Sequence, residues 1–517
     1  MGFFSNLSKV FSKNNFASEI KALEAIPSSQ RSSQEDVRLA FAYLRQAERC
    51  QTLKDRKEQI KQALNLYLKH EEQLQNDVNW LFHVGVCYFL LEQELRSLPY
   101  FHKVLASCSD GQANQRFVQD AQAFIEDATN QASAFLYAGT FLEHAKKAWS
   151  DFVKVEGKLR ELLQDSASSE LYDEAQTIFY TIFNPVIKNI EGNIYQNNGR
   201  YFIEFDNDLS VLKLFELNFI EACMPEELKQ NWHLNLGRAP APARDPNSLI
   251  MMFDGEEIAA HELYCYLVES NNGQFELNIF AEKLLPILNI DPQKVEGIIS
   301  YAVSLQLGQM LTLRAIADIT VSKEPLEEPC SCRLDKLYTY LMGKLSSNDL
   351  SFNEVLSTQL ISYSFNADLD IIHNPRQGTV HGQTYLKDLL SCYLENEDGK
   401  LYDLTDNGAV AVFLYFPIPQ VQGQGQDQTN TQSLLLSLTK EIEQEHSHYY
   451  MTPIGQAHDL KYGYLDFIAW DLTLALSIWR RVFKRRGLTT VYYQVYSAYS
   501  KSVDLITGEL VQDERSF

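Results

Sequence analysis

Apolar side chains recur every third or fourth position between residues 16 and 175, and this stretch contains almost no glycine or proline. That spacing lines one face of a helix with apolar groups, so the pattern predicts helices throughout, packed as antiparallel pairs. The last two of these helices are predicted at residues 113–127 and 132–164. We therefore expect an all-helical N-terminal third.

The periodicity changes at Gly192, beyond which apolar and polar residues alternate. Alternation directs successive side chains to opposite faces of a strand, and Asn198-Gly199 and Asn272-Gly273 are dipeptides typical of tight hairpin turns. The pattern indicates helices laid on an antiparallel sheet. A helix is predicted to begin at Pro225 and another to span 295–309, and the predicted strands are 201–205, 209–220, 233–237, 263–268, 275–280 and 311–321.

An acidic segment with two prolines and two cysteines, residues 324–332, is predicted to be a linker. Beyond it, the order strand, helix, strand, helix, strand of residues 209–321 returns in residues 410–496, which suggests two related α+β modules. The predicted helices are 334–344, one that ends near 445, and 472–484. The predicted strands are 359–365, 409–416, 464–470 and 489–496.

Small and aromatic residues in the helical stretch have the spacing of a tetratricopeptide hairpin. In such a hairpin a small side chain lets the second helix approach closely, and aromatic side chains fill the wedge between repeats. The residues at the key positions are Val84, Gly85, Tyr88, Ser97, Phe101 and Val104. A degenerate earlier repeat would use Leu39, Ala40, Tyr43, Ala63 and Tyr67, with a long turn at 50–56. A generic helical bundle is the alternative.

The predicted fold class is therefore α+β: N-terminal all-helical tetratricopeptide-like repeats followed by two α+β modules with mainly antiparallel sheets. The predicted domains span residues 1–175, 176–325 and 326–517. Three domains agree with a length of 517 residues, because domains average roughly 150 residues. A hydrophobic content of 45% and a charged content of 22% are typical of a folded globular chain.

The net charge of −23 is unevenly distributed. Residues 151–517 carry 51 of the 68 acidic residues but only 28 of the 45 basic ones. An acidic surface repels phosphate backbones and attracts basic proteins, so we expect a basic protein partner and no nucleic acid. The alternative explanation of the acidic surface is that it only keeps the protein soluble. The basic run Arg480, Arg481, Lys484, Arg485 and Arg486 suits the C-terminal end of a helix, where cations offset the helix dipole.

Eight cysteines without a CxxC pair indicate a reducing cytoplasm rather than a disulfide framework. The N-terminus has no signal-peptide pattern, and no apolar run reaches the roughly 18 residues of a membrane-spanning helix. Cys330 and Cys332 lie in the predicted linker, where a metal or redox role is the less favoured interpretation. The sequence does not indicate an oligomeric state.

Three histidines, His446, His448 and His458, form the best metal-like cluster, with Asp459 beside the last. Alternate residues on an extended segment can present two imidazoles to one ion. The competing interpretation is a polar surface turn, because tyrosines follow His448 directly. A looser group lies around Asn374-Pro375, where turn formation explains both residues; its members are Asp368, Asp370, His373 and His381. No cofactor is expected.

The aromatic run 462–471 is predicted to be a strand with Tyr464, Asp466 and Ile468 on one face. Asp466 could act as an acid or base among these aromatics, but a buried carboxylate that accepts backbone hydrogen bonds is the favoured interpretation. No nucleophile elbow, phosphate loop or zinc-protease motif is present. The candidate binding residues are Tyr43, Tyr67, His83, Trp232, Asp466, Trp470 and Asp471.

These features resemble a group of bacterial proteins in which short tetratricopeptide repeats precede a long α+β region. The resemblance rests on Trp80 with Val84-Gly85 and Tyr100-Phe101, on Trp232 with Leu236-Gly237-Arg238, and on the run 462–471. The resemblance implies an accessory or immunity-type protein of the kind found near toxin loci. The resemblance transfers no catalytic site.

Three functions follow as hypotheses. The first is a non-enzymatic bacterial protein that occludes a basic partner, with Trp232 and Trp470 as binding hot spots if they are exposed. The second is a metal-dependent hydrolase or nucleotide-processing enzyme with a site between the α+β modules. The third is a secretion-system adaptor or chaperone that holds a peptide on the repeat surface around Tyr43, Tyr67 and His83.

Overall fold

The fold is described from a computed structural model of the chain. The residues it describes are 16–28, 30–50, 53–91, 94–107, 115–132, 140–164, 169–240, 249–253, 256–270, 273–326, 329–345, 349–365, 375–395, 399–418, 428–445, 449–497, 500–509 and 511.

The first third of the chain is helical, as its periodicity predicts. Side chains cap several of these helices: Ser32 and Glu35 form a capping box, and Asp77 accepts a 2.8 Å hydrogen bond from the Trp80 amide. The helices are α1 (Phe16–Glu24), α2 (Ser33–Ala47), α3 (Leu53–Leu68), α4 (Glu71–Leu74), α5 (Val78–Leu90), α6 (Glu94–Ser107), α7 (Gln115–Ala132), α8 (Phe141–Gln164) and α9 (Ser169–Phe183).

Helices α5 and α6 approach each other closely at Gly85. A Cβ atom at this position would lie 2.8 Å from the ring of Phe101, and Ser97 on the same helix is fully buried. The small residue is therefore required where the spacing predicts it, while the assignment of true tetratricopeptide repeats stays a prediction. The long turn predicted at 50–56 is wrong, because α3 already begins at Leu53.

The second region opens with a three-stranded sheet, β1 (Gly192–Asn197), β2 (Arg200–Phe205) and β3 (Trp232–Asn235). The hairpin β1–β2 turns at Asn198 and Gly199, whose φ angles of 50° and 78° are those of the predicted tight turn. Strand β3 pairs with β2 in parallel. The short helix α11 (Glu226–Lys229) precedes it, as predicted.

The strand predicted at 209–220 is wrong: these residues form helix α10 (Val211–Ala222). Ser210 caps the helix by accepting a hydrogen bond from the Lys213 amide, and Leu212, Phe215 and Phe219 are all buried. A helix buried on most of its circumference loses the polar face that would reveal its period. The order of elements in 209–321 therefore does not repeat in 410–496.

Residues 249–345 build a smaller unit around a four-stranded sheet of order β8-β7-β6-β9. The strand predicted at 311–321 begins only at Ile316, because the preceding residues form a helix. The elements are β4 (Ile250–Phe253), β5 (Glu256–Ala259), β6 (Tyr264–Glu269), β7 (Phe275–Phe280), α12 (Leu285–Leu288), α13 (Pro292–Leu307), α14 (Gln309–Ala315), β8 (Ile316–Val321), β9 (Cys332–Arg333) and α15 (Leu337–Met342). Strand β9 pairs with β6, so one sheet contains residues on both sides of position 325.

The C-terminal region is a seven-stranded antiparallel sheet of order β10-β11-β13-β14-β12-β15-β16. Its strand β12 (Val410–Pro417) is buried from Val410 to Phe416. The other strands are β10 (Ile361–Tyr363), β11 (His381–Thr384), β13 (Met451–His458), β14 (Tyr462–Ala469), β15 (Tyr492–Val495) and β16 (Val503–Asp504). The helices are α16 (Phe352–Leu356), α17 (Lys387–Leu394), α18 (Gly399–Thr405), α19 (Gln428–Gln444) and α20 (Leu472–Arg485).

Three apolar cores hold these elements. The first extends from Leu23 to Phe124 within α1–α7. The second lies within residues 251–341. The third and largest joins α8, α9, the three-stranded sheet and α10 to the seven-stranded sheet. The α+β class with mainly antiparallel sheets is confirmed, while the predicted domain boundaries stay predictions. None of the described helices combines the length and apolarity needed to cross a membrane.

Candidate functional site

The N-terminal candidates Tyr43 and Tyr67 lie in the helical core, and His83 is half-buried beside them. Tyr43 is 7% exposed and Tyr67 only 1%, and the Tyr43 hydroxyl donates to the Glu24 carboxylate. The rings of Tyr67 and His83 stack with centroids 6.0 Å apart. Burial raises the pKa of Tyr67 and lowers that of His83. Both tyrosines thus stabilise the helix packing and present little surface to a peptide.

Trp232 is a core residue and not an exposed hot spot. It is 3% exposed, packs against Phe152 and Tyr201, and its indole N–H donates a 2.9 Å hydrogen bond to the Glu156 carboxylate. A buried indole needs such a partner for its N–H. The side chain therefore ties β3 to α8.

Trp470 and Asp471 also have structural partners. Trp470 is fully buried, stacks on Phe219 at 4.6 Å and donates to the Thr452 hydroxyl. Asp471 caps α20, because its carboxylate accepts a 3.0 Å hydrogen bond from the Leu474 amide. The exposure on which the hot-spot hypothesis depends is absent at Trp232 and at Trp470.

Asp466 forms a fully buried ion pair with Arg376. Both Nη atoms of the guanidinium donate to the carboxylate, and the second also donates to the Tyr363 hydroxyl. Gly455 on β13 makes room for the pair, because a Cβ there would lie 2.8 Å from Asp466 Oδ2. Asp466 is a buried acceptor, but the prediction that its partners are backbone amides is wrong, because the carboxylate accepts from the Arg376 guanidinium.

Aromatic rings surround the guanidinium of Arg376. Its carbon lies 5.0 Å from the ring centroid of Tyr464, 5.7 Å from that of Phe413 and 5.9 Å from that of Tyr496. Burial alone would lower the pKa of Arg376, but the Asp466 carboxylate raises it well above its ordinary value. The pair is desolvated and locked in place, so Asp466 has no access to a substrate.

The histidine cluster is only partly described. His446 and His448 lie outside the described residues, while His458 is buried on β13 opposite His381, with ring centroids 6.1 Å apart. Burial lowers the pKa of His458. In the described portion of the chain no group of three or more His, Cys, Asp or Glu side chains could hold a metal ion. The metal hypothesis therefore depends on His446 and His448 and stays a prediction. Asp368, Asp370 and His373 of the looser group also lie outside the described residues.

The side chain of Asp459 is occupied by its neighbours. Its Oδ1 atom accepts hydrogen bonds of 2.6 Å from the Lys461 and Tyr462 amides, and its Oδ2 atom accepts one of 2.6 Å from the Tyr464 hydroxyl. These contacts shape the turn between β13 and β14. Two cations of the basic run at the end of α20 are likewise paired, because Arg485 and Arg486 bind Glu441.

A cavity of about 620 Å³ lies where the three-stranded sheet meets α10, α14 and α16. Glu221, His233 and Arg238 contribute charged or titratable groups to its wall. The Arg238 guanidinium donates hydrogen bonds to the Tyr301 hydroxyl at 2.7 Å and to the Asp206 carboxylate. Burial raises the pKa of Glu221. Of the predicted site residues that the structure describes, none lines this cavity.

The outer side of the four-stranded sheet carries a second unpredicted feature, which we call the acidic sheet face: Val268, Glu276, Asp318 and Thr320. All four side chains are exposed, Val268 to 54%. Glu276 and Asp318 are direct neighbours in the register of β7 and β8. Neighbouring strands are roughly 4.8 Å apart, so the two carboxylates lie side by side on the solvent-exposed surface.

The acidic sheet face ends at an open strand. Strand β8 is the last in the sheet order, and no further strand of the described residues pairs with it. Such an edge has free N–H and C=O groups that can pair with another extended chain. Within the same described residues, neither Glu276 nor Asp318 forms an ion pair.

The sequence contained part of the signal for this face. The segments 275–280 and 316–321 alternate so that Glu276, Asn278, Asp318 and Thr320 fall on the polar side. The predicted strand 311–321 merged a helix with β8, which hid the register and the edge position. Pairing between strands some 40 residues apart has no local signature.

Comparison with known proteins gives no independent assignment of this chain. No protein family model, curated protein or solved structure matches it.

Proposed function

We propose that this chain is a non-enzymatic protein-binding protein that receives a basic polypeptide on the acidic sheet face. The observation that carries the proposal is the pair Glu276 and Asp318, two exposed carboxylates on neighbouring strands at an open edge. Like charges directly opposite each other destabilise a sheet by about 0.2–1 kcal/mol. The pair therefore does not serve the stability of the sheet, which favours a role in binding.

The geometry suits addition of a strand to β8. The partner's backbone would complete the ladder along residues 316–321, while its basic side chains on one face meet Glu276 and Asp318. The net charge of −23 steers a cationic partner toward the protein and accelerates encounter.

A second copy of this chain is a poor occupant of the same edge. Two acidic edges brought together would place like charges opposite each other without compensating cations. The charge complementarity therefore favours a basic partner over self-association.

We infer that the biological role is of the immunity or accessory type, in which binding occludes the partner. The resemblance to bacterial repeat proteins near toxin loci supports this inference, as does the acidic character of residues 151–517. We place the protein in the bacterial cytoplasm. The cysteines in the described part of the chain are free thiols, which suits a reducing compartment.

The test uses a short soluble peptide of alternating lysine and valine, with fluorescence anisotropy as the readout. We expect binding that weakens as salt screens the charges. The matched peptide of alternating glutamate and valine should not bind. A lysine–valine peptide with N-methyl groups on the amides that would face β8 should lose binding, because it keeps its charge but cannot complete the ladder.

The double variant Glu276→Gln/Asp318→Asn should weaken binding of the basic peptide by roughly ten-fold, since two exposed ion pairs contribute up to about 1 kcal/mol each. Its melting temperature should be unchanged or slightly higher. Glu170→Gln/Asp173→Asn, which removes the same charge from exposed positions of α9, is the control and should retain binding. Equal loss in both variants, or equal binding of the N-methylated peptide, would refute the proposed location.

A further inference from the structure

Three cysteines lie together where β9 forms the edge of the four-stranded sheet opposite β8. Cys265 on β6 and Cys332 on β9 are directly opposite each other in an antiparallel register. The Cys330 thiol lies beside them and donates to the backbone oxygens of Cys332 at 2.8 Å and of Cys265 at 3.5 Å. All three are free thiols in the structure.

The register places Cys265 and Cys332 within reach of a disulfide. Directly paired residues of antiparallel strands have Cα atoms about 4.5–5.5 Å apart, which falls inside the roughly 4.4–6.8 Å range that disulfides span. Both side chains lie on the face that packs against the core of residues 251–341.

The environments of the two thiols differ. Cys265 is fully buried, whereas Cys332 is partly exposed. The hydrogen bond from Cys265 lowers the pKa of Cys332, and the same bond together with burial raises the pKa of Cys265. Cys332 is thus the accessible thiol with the greater thiolate character, and Cys265 is the protected one behind it.

We propose that Cys265 and Cys332 form a redox-active pair that closes a cross-strand disulfide when the oxidant is a low-molecular-weight disulfide. The Cys332 thiolate attacks one sulfur of the oxidant, which forms a mixed disulfide and releases one thiolate. Cys265 then loses its proton to solvent and attacks the Cys332 sulfur, which releases the second thiolate. The two protein thiols lose two electrons and two protons, and the oxidant is reduced to two thiols.

The alternatives for this cluster are less well supported by its geometry. Cys330 hydrogen-bonds to backbone oxygens rather than to a sulfur atom, so it is not poised for exchange with Cys332. A metal thiolate site is disfavoured because, of the side chains the structure describes, these cysteines do not form a metal-holding group of three. The bond between Cys265 and Cys332 would fasten the short strand β9 covalently to β6.

The experiment equilibrates the intact protein with mixtures of oxidised and reduced glutathione, quenches with acid, unfolds the chain and alkylates free thiols for mass spectrometry. In the wild type, two of the eight cysteines should escape alkylation without bound glutathione. Cys330→Ser should behave like the wild type. Cys332→Ser should form no internal disulfide.

Variants at Cys265 check the order of attack. Cys265→Ser and Cys265→Ala should both stop at a glutathione adduct on Cys332, and the alanine variant keeps the test usable if a buried hydroxyl impairs folding. Circular dichroism confirms that each variant is folded. Eight alkylated cysteines in the oxidised wild type would overturn the proposal, as would an internal disulfide that depends on Cys330.

Discussion

At the scale of single residues, the chain buries several ionisable groups, and Glu216 is one that has a specific partner. Glu216 on α10 is 3% exposed and accepts a 2.9 Å hydrogen bond from the Asn407 amide group. Asn407 in turn accepts a hydrogen bond from the Lys188 amide. Burial raises the pKa of Glu216 from its ordinary value of 4.5 to about 8. This residue therefore links the stability of the largest core to pH.

Replacing Glu216 by Gln should stabilise the protein, and the gain should grow with pH. The folded state binds the Glu216 proton more tightly than the unfolded state. Protonated Glu216 therefore makes its full contribution to the unfolding free energy below about pH 4.5, and this contribution is lost as the pH rises to about 8. The variant keeps a neutral hydrogen-bond acceptor at every pH. The difference in unfolding free energy should approach an upper bound of about 5 kcal/mol at pH 8 and nearly vanish at acidic pH.

Urea unfolding of both proteins across this pH range measures the difference. Glu226→Gln is the matched control, because Glu226 is 84% exposed beside the same helix. A stability difference for Glu216→Gln that stays constant with pH would contradict the prediction.

The buried pair Arg376–Asp466 gives a second residue-scale prediction. Arg376→Met leaves a carboxylate unpaired in the core and should cost about 3–5 kcal/mol of unfolding free energy. Arg376→Met/Asp466→Leu removes both charges and should lose clearly less than the sum of the two single variants. Thermal unfolding of the three variants tests this, and strictly additive losses would show that the two charges are not coupled.

The sequence predicted some of these residues and not their partners. Alternation along 462–471 correctly put Asp466 among aromatics on a buried strand, because the period-2 pattern is local. Its partner Arg376 is 90 residues away in a short 3₁₀ turn, and nothing in the neighbouring residues marks it as buried. The same holds for Glu216 and Asn407, which are 191 residues apart.

At the scale of elements, local sequence signals predicted the secondary structure correctly where turns and caps determine it. They failed where burial removes the periodic alternation of polar and apolar residues. The hairpin at Asn198-Gly199 was predicted correctly because two residues with positive φ need little else. Helix α10 was predicted as a strand because it is buried on most sides. The close approach of α5 and α6 was indicated by Gly85, whose environment the structure confirms.

Gly85→Ala should destabilise the helical hairpin despite the better helix propensity of alanine. The added Cβ would lie 2.8 Å from the Phe101 ring, and overpacking of this kind costs about 1–3 kcal/mol. Gly157→Ala on α8 is the control, because no atom lies within 4 Å of its added Cβ. That variant should gain about 0.5–1 kcal/mol.

Thermal unfolding with circular dichroism measures both glycine variants. Combining Gly85→Ala with Phe101→Leu should recover part of the loss, since the smaller side chain vacates the contact. Destabilisation of equal size at Gly85 and Gly157 would show that the interhelical contact is not responsible.

At the scale of the whole molecule, the division into cores does not follow the order of helices and sheets. Helices α8 and α9 belong to the core of the seven-stranded sheet. The Phe141 amide donates to the Gly408 carbonyl at 3.0 Å and the Leu142 amide donates to the Trp470 carbonyl at 3.2 Å. Sequence periodicity identified these helices correctly, but it could not assign them to a core built mostly by residues after 400.

A chain that begins at residue 140 should therefore fold without α1–α7 and should retain binding of the lysine–valine peptide. A chain that begins at residue 176, the predicted domain boundary, should not fold, because it lacks Phe141, Trp149 and Phe152 of the largest core. Cooperative thermal unfolding and near-UV circular dichroism distinguish the two. A folded chain from residue 176 would support the predicted boundary instead.

The burial of β12 between β14 and β15 has a consequence for biosynthesis. Helices α8 and α9 leave the ribosome long before residues 410–470 exist, and the part of their apolar surface around Phe141, which packs against Trp470, is fully covered only when that later sheet forms. At usual elongation rates the delay is on the order of tens of seconds. Throughout this interval the nascent chain exposes apolar surface on these helices, so production of the protein in a heterologous host should depend on chaperones that bind nascent polypeptides.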